Sequence, residues 1–443
     1  MRQGSGDFKA MKRVLLVAYH YPPDAAVGGV RSSKFACYLP DFGWQPIVLT
    51  AAFQDSTGRE SEKDDKGKVY RVSEWPHPIK TCRRFLEGRA RRKGRSSELQ
   101  AKWSVSRAEL ISPPHDALAL IKRWIFSLFR LPDEEMGWLL PAIWKGFRLI
   151  REKKINCIIT TAPPFTCHLV GFALKRLTKV PWIADFRDPW TVNRRSPLLR
   201  NRIGDVIEAK LIRSIMAEAD CVIHVTSQWT ERAKKDHPEL DPDKFVTVTN
   251  GFDPSDFRGM INARSSEGPT IFSYIGTFYL GQSPEPFLRA LKALIDDGKV
   301  KRAEVAVRFV GQVAIADGQL VSEMVKNLGL EDTVILAASV SRKEAMRLNL
   351  ETHVALVITD HYPHSTKVYD ALAAGSTILN IGTGVGAVAD LIAKTGRGIS
   401  VRYTDLTEIQ AGILECISRS QAAKTPRTHE PWLDPAIQEF NVQ

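Results

Sequence analysis

YIGTFYLGQSPEPFLRAL, residues 274–291, reads as a strand, a glycine turn and a helix in succession. That order is the repeating unit of a doubly wound α/β sheet, and its turn is where such sheets hold phosphates. Between Gly276 and the helix, however, there is no Lys or Arg. A phosphate docking here needs its charge balanced from elsewhere in the chain.

The same rhythm extends in both directions. KRVLLVAY (12–19) is the continuous apolar run expected of a strand buried on both faces of a parallel sheet. WQPIVLTA, INCIITTA, PWIAD and DCVIHVT repeat it from residues 44, 155, 181 and 220. Helical stretches lie between, such as LLRNRIGDVIEAKLIRSIMAEA (198–219). A second series runs through TIFSYIG (270), VAVRFVG (305), DTVILAA (332), HVALVIT (353) and STILNIG (376). For 443 residues two domains are expected, each doubly wound α/β. We place them at 1–256 and 257–415, with the polar stretch FRGMINARSSEGP (257–269) as linker and a tail at 416–443.

An apolar fraction of 44% and a charged fraction of 25% fit a soluble globular chain. No apolar run approaches the roughly 18 residues of a membrane span, and the first residues lack the pattern of a secretory signal. Cys37, Cys82, Cys157, Cys167, Cys221 and Cys416 are scattered without a CxxC pair. They are expected as buried free thiols in a reducing cytoplasm, and a zinc site has no support. The net charge of +12 is concentrated between Lys80 and Arg107, where ten Lys and Arg face two Glu. This patch lies in a segment, 53–117, with little apolar periodicity, expected to be a long insertion in the first domain. A helix follows, capped by Asp116, with Leu118, Ile121, Ile125, Leu128 and Phe129 on one face.

Three stretches after strand ends carry candidate chemistry. In YHYPPDAAVGGVRSS, Gly28 and Gly29 allow close backbone approach and Arg31 adds a cation one turn on, although a plain strand-to-helix turn would look alike. In TTAPPFTCHLVG (160–171) two prolines set the turn, and His168 is expected as a packed, satisfied imidazole. In PWIADFRDPW (181–190), Asp185, Arg187 and Asp188 cluster where a buried strand emerges. A carboxylate near Arg stays ionised and can orient a hydroxyl, whereas the alternative is an ion pair bracing the loop. Further on, VTNGFDPSDF (248–257) ends a strand in an Asn-Gly turn, and STKVYDALAAG (365–375) puts Lys367 and Asp370 at the start of a helix.

YPP…GGVRS, TTAPPFTCHL, WIADFRDPW, NGFDPSDF, YIGTFY and STKVYDALAAG, in this order, resemble the GT-B glycosyltransferases, and more narrowly the family-4-type enzymes of bacterial polysaccharide and glycolipid assembly. The resemblance covers residues 12–415. It implies two Rossmann-like domains facing each other across a cleft, a nucleotide-sugar donor (UDP-, GDP- or ADP-linked) on the second, an acceptor on the first, retention at the anomeric carbon, no metal and no cofactor. Gly28, Gly29, Asn250, Gly251, Gly276, Thr277, Lys367 and Asp370 are thereby assigned to the donor, and Arg31 and Trp190 to the acceptor. Asp188, Asp185 and Arg187 fall where the family keeps its catalytic His, with Asp188 favoured for chemistry and Asp185 for bracing.

The sequence departs from the family in ways that bear on the first question. Many members carry Arg and Lys around the turn after the strand glycine; Thr277 and Gln282 stand there instead, and Tyr362 replaces the first Glu of the Glu-x7-Glu motif. Lys367, the start of its helix, the amides of Gly276 and Thr277, and Arg187 or Arg31 are the available substitutes, Lys367 first among them. The competing functions are a GT-B chain that has lost catalysis and serves as a partner subunit, and a nucleic-acid binder using 80–107, which explains nothing outside that segment. The patch and the helix near 118–130, with Trp124 and Phe126 beside Lys122, Arg123 and Arg130, suit an anionic membrane and a lipid-linked or polysaccharide acceptor. The expected location is cytoplasmic, peripheral on the inner face of the plasma membrane.

Overall fold

The computed structural model describes residues 11–24, 28–52, 68–76, 132–188, 190, 202–260, 264, 268–279, 281–359, 366–422 and 431–442. The basic patch, Cys82, the helix after Asp116 and Tyr362 lie outside these residues. The chain divides into two compact units, Met1–Val248 and Thr249–Gln443.

The first unit is a seven-stranded sheet built from β1 Lys12–Val17, β2 Trp44–Ala51, β3 Val69–Val72, β4 Cys157–Ala162, β5 Trp182–Phe186, β6 Cys221–His224 and β7 Phe245–Thr247. All its pairings are parallel, in the order β3-β2-β1-β4-β5-β6-β7. Its helices are α1 Gly28–Tyr38, α2 Leu139–Lys153, α3 Thr166–Thr178, α4 Arg202–Glu218 and α5 Ser227–Asp236. Val14 to Val17 are at most 1% exposed, as a central strand covered on both faces requires. Within the segment read as an insertion, Val69–Val72 adds an edge strand to β2 with Val48 opposite Val69.

The second unit contains β8 Thr270–Thr277, β9 Val305–Gln312, a small hairpin of β10 Ile315–Ala316 and β11 Gln319–Leu320, then β12 Val334–Ala337, β13 Val354–Ile358, β14 Thr377–Gly382 and β15 Gly398–Arg402. The main sheet runs β12-β9-β8-β13-β14-β15, again all parallel. Its helices are α6 Glu285–Asp296, α7 Val321–Asn327, α8 Arg342–Glu351, α9 Lys367–Ala373, α10 Ala387–Thr395 and α11 Leu406–Ala422. Phe272, Phe287, Phe309 and Ile413 centre one buried cluster, and Phe257, Tyr369, Ile378 and Trp432 another.

Residues 431–442 close this unit. Phe252 N donates to Phe440 O at 2.9 Å, Trp432 stacks on Phe257, and Phe440 lies against Tyr369. Among the described cysteines Cys157, Cys167 and Cys416 are buried as expected, but Cys37 is exposed. No described helix is long and apolar enough to cross a membrane.

Candidate functional site

Strand order reverses between β1 and β4 in the first unit and between β8 and β13 in the second. At such reversals the loops after neighbouring strands diverge and leave a crevice for ligands. The candidate residues fall at both.

In the first unit, Arg187 ties three loops together. Its Nη1 donates to Gly28 O at 2.6 Å, Nη2 donates to Pro163 O, and Nε donates to Ala162 O at 3.3 Å. A Cβ on Gly28 would lie 3.1 Å from this guanidinium, so the glycine is what lets it approach. Burial pulls the Arg187 pKa down, while Asp188 and Asp185 favour its charged form. Asp185 is fully buried, and both oxygens are taken. Arg31 donates Nε to Oδ2 and Nη2 to Oδ1, each at 3.0 Å, and Thr161 donates to Oδ2 at 2.8 Å. Arg31 Nη2 also reaches Val248 O at 2.9 Å. This geometry braces the sheet edge. Asp188 is only half-buried, one residue beyond the Arg187 staple. Trp190 is 3% exposed and stacks on Phe165 at 4.3 Å, so its face is spent inside the unit.

His168 is buried, as the sequence led us to expect, but it is not fully satisfied. Nδ1 shares a 2.7 Å hydrogen bond with Thr160, while Nε2 has no partner. Burial takes its pKa down to about 3, and that of the neighbouring His224 to about 4. Asp133 was missed in the sequence. Its carboxylate accepts from Thr166 N at 2.9 Å and from Glu135 N at 3.1 Å, capping the entry to α3. Burial, helped by Glu135, pushes its pKa up to about 7.

In the second unit, Lys367 leaves the first residue of α9 and crosses the end of β8. The crossing depends on Gly276, where a Cβ would sit 2.1 Å from Lys367 Cε. Gly276 has φ +149 and faces Gly311 across the strand pair, where a Cβ would sit 2.0 Å from Gly276 O. Lys367 Nζ ends 2.7 Å from Tyr274 Oη and 3.5 Å from Thr277 O. Tyr274 in turn donates to Thr277 O at 2.6 Å. Among the described residues no carboxylate is within ion-pair distance of Lys367, and burial alone lowers its pKa to about 7. Tyr274 carries no signal of its own in the sequence, where it reads as one more apolar strand residue.

Asp370, three residues on, is held by Arg342, with Nη1 at 2.7 Å and Nη2 at 2.8 Å, and Arg342 also bonds Asp256. Gly251 sits against the closing segment, its missing Cβ only 2.2 Å from Phe440 O, and Asn250 precedes it. Gly28, Arg31, Asp185 and Arg187 therefore meet in one unit, with Gly29 next along α1, and Gly276, Thr277 and Lys367 meet in the other. Gly251 packs instead on the closing segment and Trp190 on Phe165.

Comparison with known proteins bears on this arrangement. The chain matches Glycosyltransferase Family 4 over residues 105–256, a span holding Asp133, the proline loop and Asp185 to Asp188. Residues 105–256 are a Glycosyltransferase Family 4 domain. The family 4 domain thus includes the Arg187 staple, while the Lys367 cluster lies beyond its end. No curated protein matches the sequence. Solved structures match it along nearly its whole length. A sucrose-phosphate synthase from Thermosynechococcus elongatus is 15% identical with TM-score 0.66, covering 97% of this chain and 95% of that one. Anabaena HepE in complex with UDP is 14% identical with TM-score 0.59, covering 98% and 96%. An α,α-trehalose-phosphate synthase (UDP-forming) from Burkholderia xenovorans, in complex with glucose-6-phosphate, is 13% identical with TM-score 0.58, covering 97% of each. At these identities the likeness is one of fold: two parallel Rossmann-like sheets of the GT-B type.

Proposed function

We propose that this glycosyltransferase moves a hexosyl group from a nucleotide-sugar donor to an acceptor hydroxyl, with retention of configuration. The observation that carries the reading is the amine of Lys367, which has no ion pair among the described residues and is delivered to the strand-order reversal of the second unit beside Gly276 and Thr277. UDP bound to HepE, a protein of the same fold, supports a nucleoside diphosphate as the leaving group. The bond from the anomeric carbon to the diphosphate oxygen breaks and the acceptor oxygen bonds to that carbon. The hydroxyl proton ends on the departing diphosphate. Charge builds on that diphosphate, and a fixed donor there is commonly worth about 10²–10³ in rate. Lys367 supplies the charge that Thr277 and Gln282 lack.

In the first unit Asp188 orients the acceptor hydroxyl, because Asp185 has no oxygen to spare. The acceptor is a lipid-linked or polysaccharide intermediate. The support is the charge of residues 80–107 and the mixed apolar and basic sequence of 116–130. Half of that local charge, at roughly 1 kcal/mol per residue, suffices to hold a protein at an anionic leaflet.

The test is a thermal-shift screen with UDP, GDP and ADP, followed by transfer assays with the corresponding sugar nucleotides. A ligand at about 100 Kd adds about 2.7 kcal/mol to stability, so a productive nucleotide is easily seen. No shift with any of the three sinks the donor reading. A shift without turnover on any sugar nucleotide favours a catalytically silent partner subunit. Absence of binding to anionic vesicles at low salt removes the membrane-linked acceptor.

A further inference from the structure

We infer that Tyr274 is a positioning residue for Lys367 and that the pair takes up a proton when a nucleoside diphosphate is captured. The inference rests on the donor reading above and adds how the site acquires its charge.

A lysine meant to be permanently charged is normally set against a carboxylate. Here the nearest partner is a neutral phenol whose own proton is committed to Thr277 O, which turns an oxygen lone pair towards Nζ. Tyr274 is itself fixed, fully buried and stacked on Phe278 at 4.3 Å. The side chain reaches this hydroxyl only through the hollow left by Gly276, which Gly311 keeps open from the adjacent strand. Phenol, hollow and amine form one device.

Among the described residues, the groups around the amine are neutral. From β8 come Tyr274 and the Thr277 carbonyl, and from the following turn the ring of Tyr279 at 5.9 Å. β13 carries no titratable residue. On α9 the one carboxylate, Asp370, is engaged by Arg342. Stripped of water and unpaired, the amine has a pKa of about 7 in the empty site. A diphosphate placed beside it reverses the balance by favouring the ammonium. Above neutral pH, binding must therefore draw a proton from solution.

The experiment is isothermal titration of the full chain with UDP, GDP and ADP at about pH 8.5 in buffers of different ionisation enthalpy. The terminal phosphate, with a pKa of about 6, is already ionised there and contributes nothing. We expect uptake approaching one proton, and affinity falling about tenfold per pH unit above neutrality. Lys367→Arg keeps a fixed charge and should bind with no proton uptake and a flat pH profile. Tyr274→Phe should weaken binding by about tenfold and move the pH at which affinity falls, which mere loss of packing would not do. Binding without proton uptake, level in affinity across this range, overturns the inference and leaves the donor reading intact. Uptake that persists in Lys367→Arg places the proton elsewhere and also overturns it. Failure of all three nucleotides to bind removes the donor reading, and this inference with it.

Discussion

Lys367 brings an amine into a half-buried hollow, so folding strips it of water without an ion pair in return. Its pKa in the folded chain, about 7, lies below the ordinary 10.5, so between these values the unfolded chain holds the extra proton. The penalty is full below pH 7 and fades as pH rises towards 10.5. Lys367→Met should therefore raise Tm at neutral pH while abolishing the nucleotide-induced shift, with the gain in Tm vanishing above about pH 10. The two first-unit carboxylates separate in the opposite way. Asp185→Asn breaks the buried bidentate pair with Arg31 and should lower unfolding stability by about 3–5 kcal/mol in urea titrations. Asp188→Asn removes a charge that favours the buried Arg187 guanidinium but leaves its three carbonyl acceptors in place. It should cost less stability than Asp185→Asn while reducing turnover by at least about 10². At this scale the sequence was legible where residues follow a strand end, which set Asp185 and Lys367 beside other candidates. It was silent on Arg342, because nothing in a sequence ties it to Asp370, 28 residues away in the chain.

Among the elements, the buried parallel strands could be read directly, since runs such as VLLV leave few other ways of being covered. β3 could not: VYRV is four residues long, carries a central Arg and lies half-buried at the sheet edge. β15 escaped notice for a similar reason, as GISVR has too few buried positions to set a period. Helix α3 shows a constraint no pattern announces. A Cβ on Gly171 would sit 2.5 Å from the Trp182 indole and 2.6 Å from Thr160, so the helix packs against β4 and β5 at a distance only glycine permits. Gly171→Ala should cost about 1–3 kcal/mol by overpacking, measured by chemical denaturation. It should also disturb the Thr160 to His168 hydrogen bond, because Trp182 Nε1 donates to the same Thr160 hydroxyl at 2.9 Å.

For the whole molecule, stability on the acid side is governed by groups inside the first unit. His168 and His224 have folded-state pKa values of about 3 and about 4, below the ordinary 6.5, so the unfolded chain is protonated first. Stability present above pH 6.5 is lost as pH falls towards 4. Asp133, raised to about 7, works in the other direction over the same interval, with one proton against two. Tm should accordingly decline on acidification, and His224→Phe, placed between Phe186 and Phe245, should soften that decline. The two units share a strand order, and the second carries the segment that seals its own core, from Trp432 to Phe440. Recombination near Thr249 could therefore hand that cassette to a different upstream half without opening either interior. On the donor reading proposed above, a lineage built this way changes what it decorates while inheriting unaltered the chemistry by which the sugar is released.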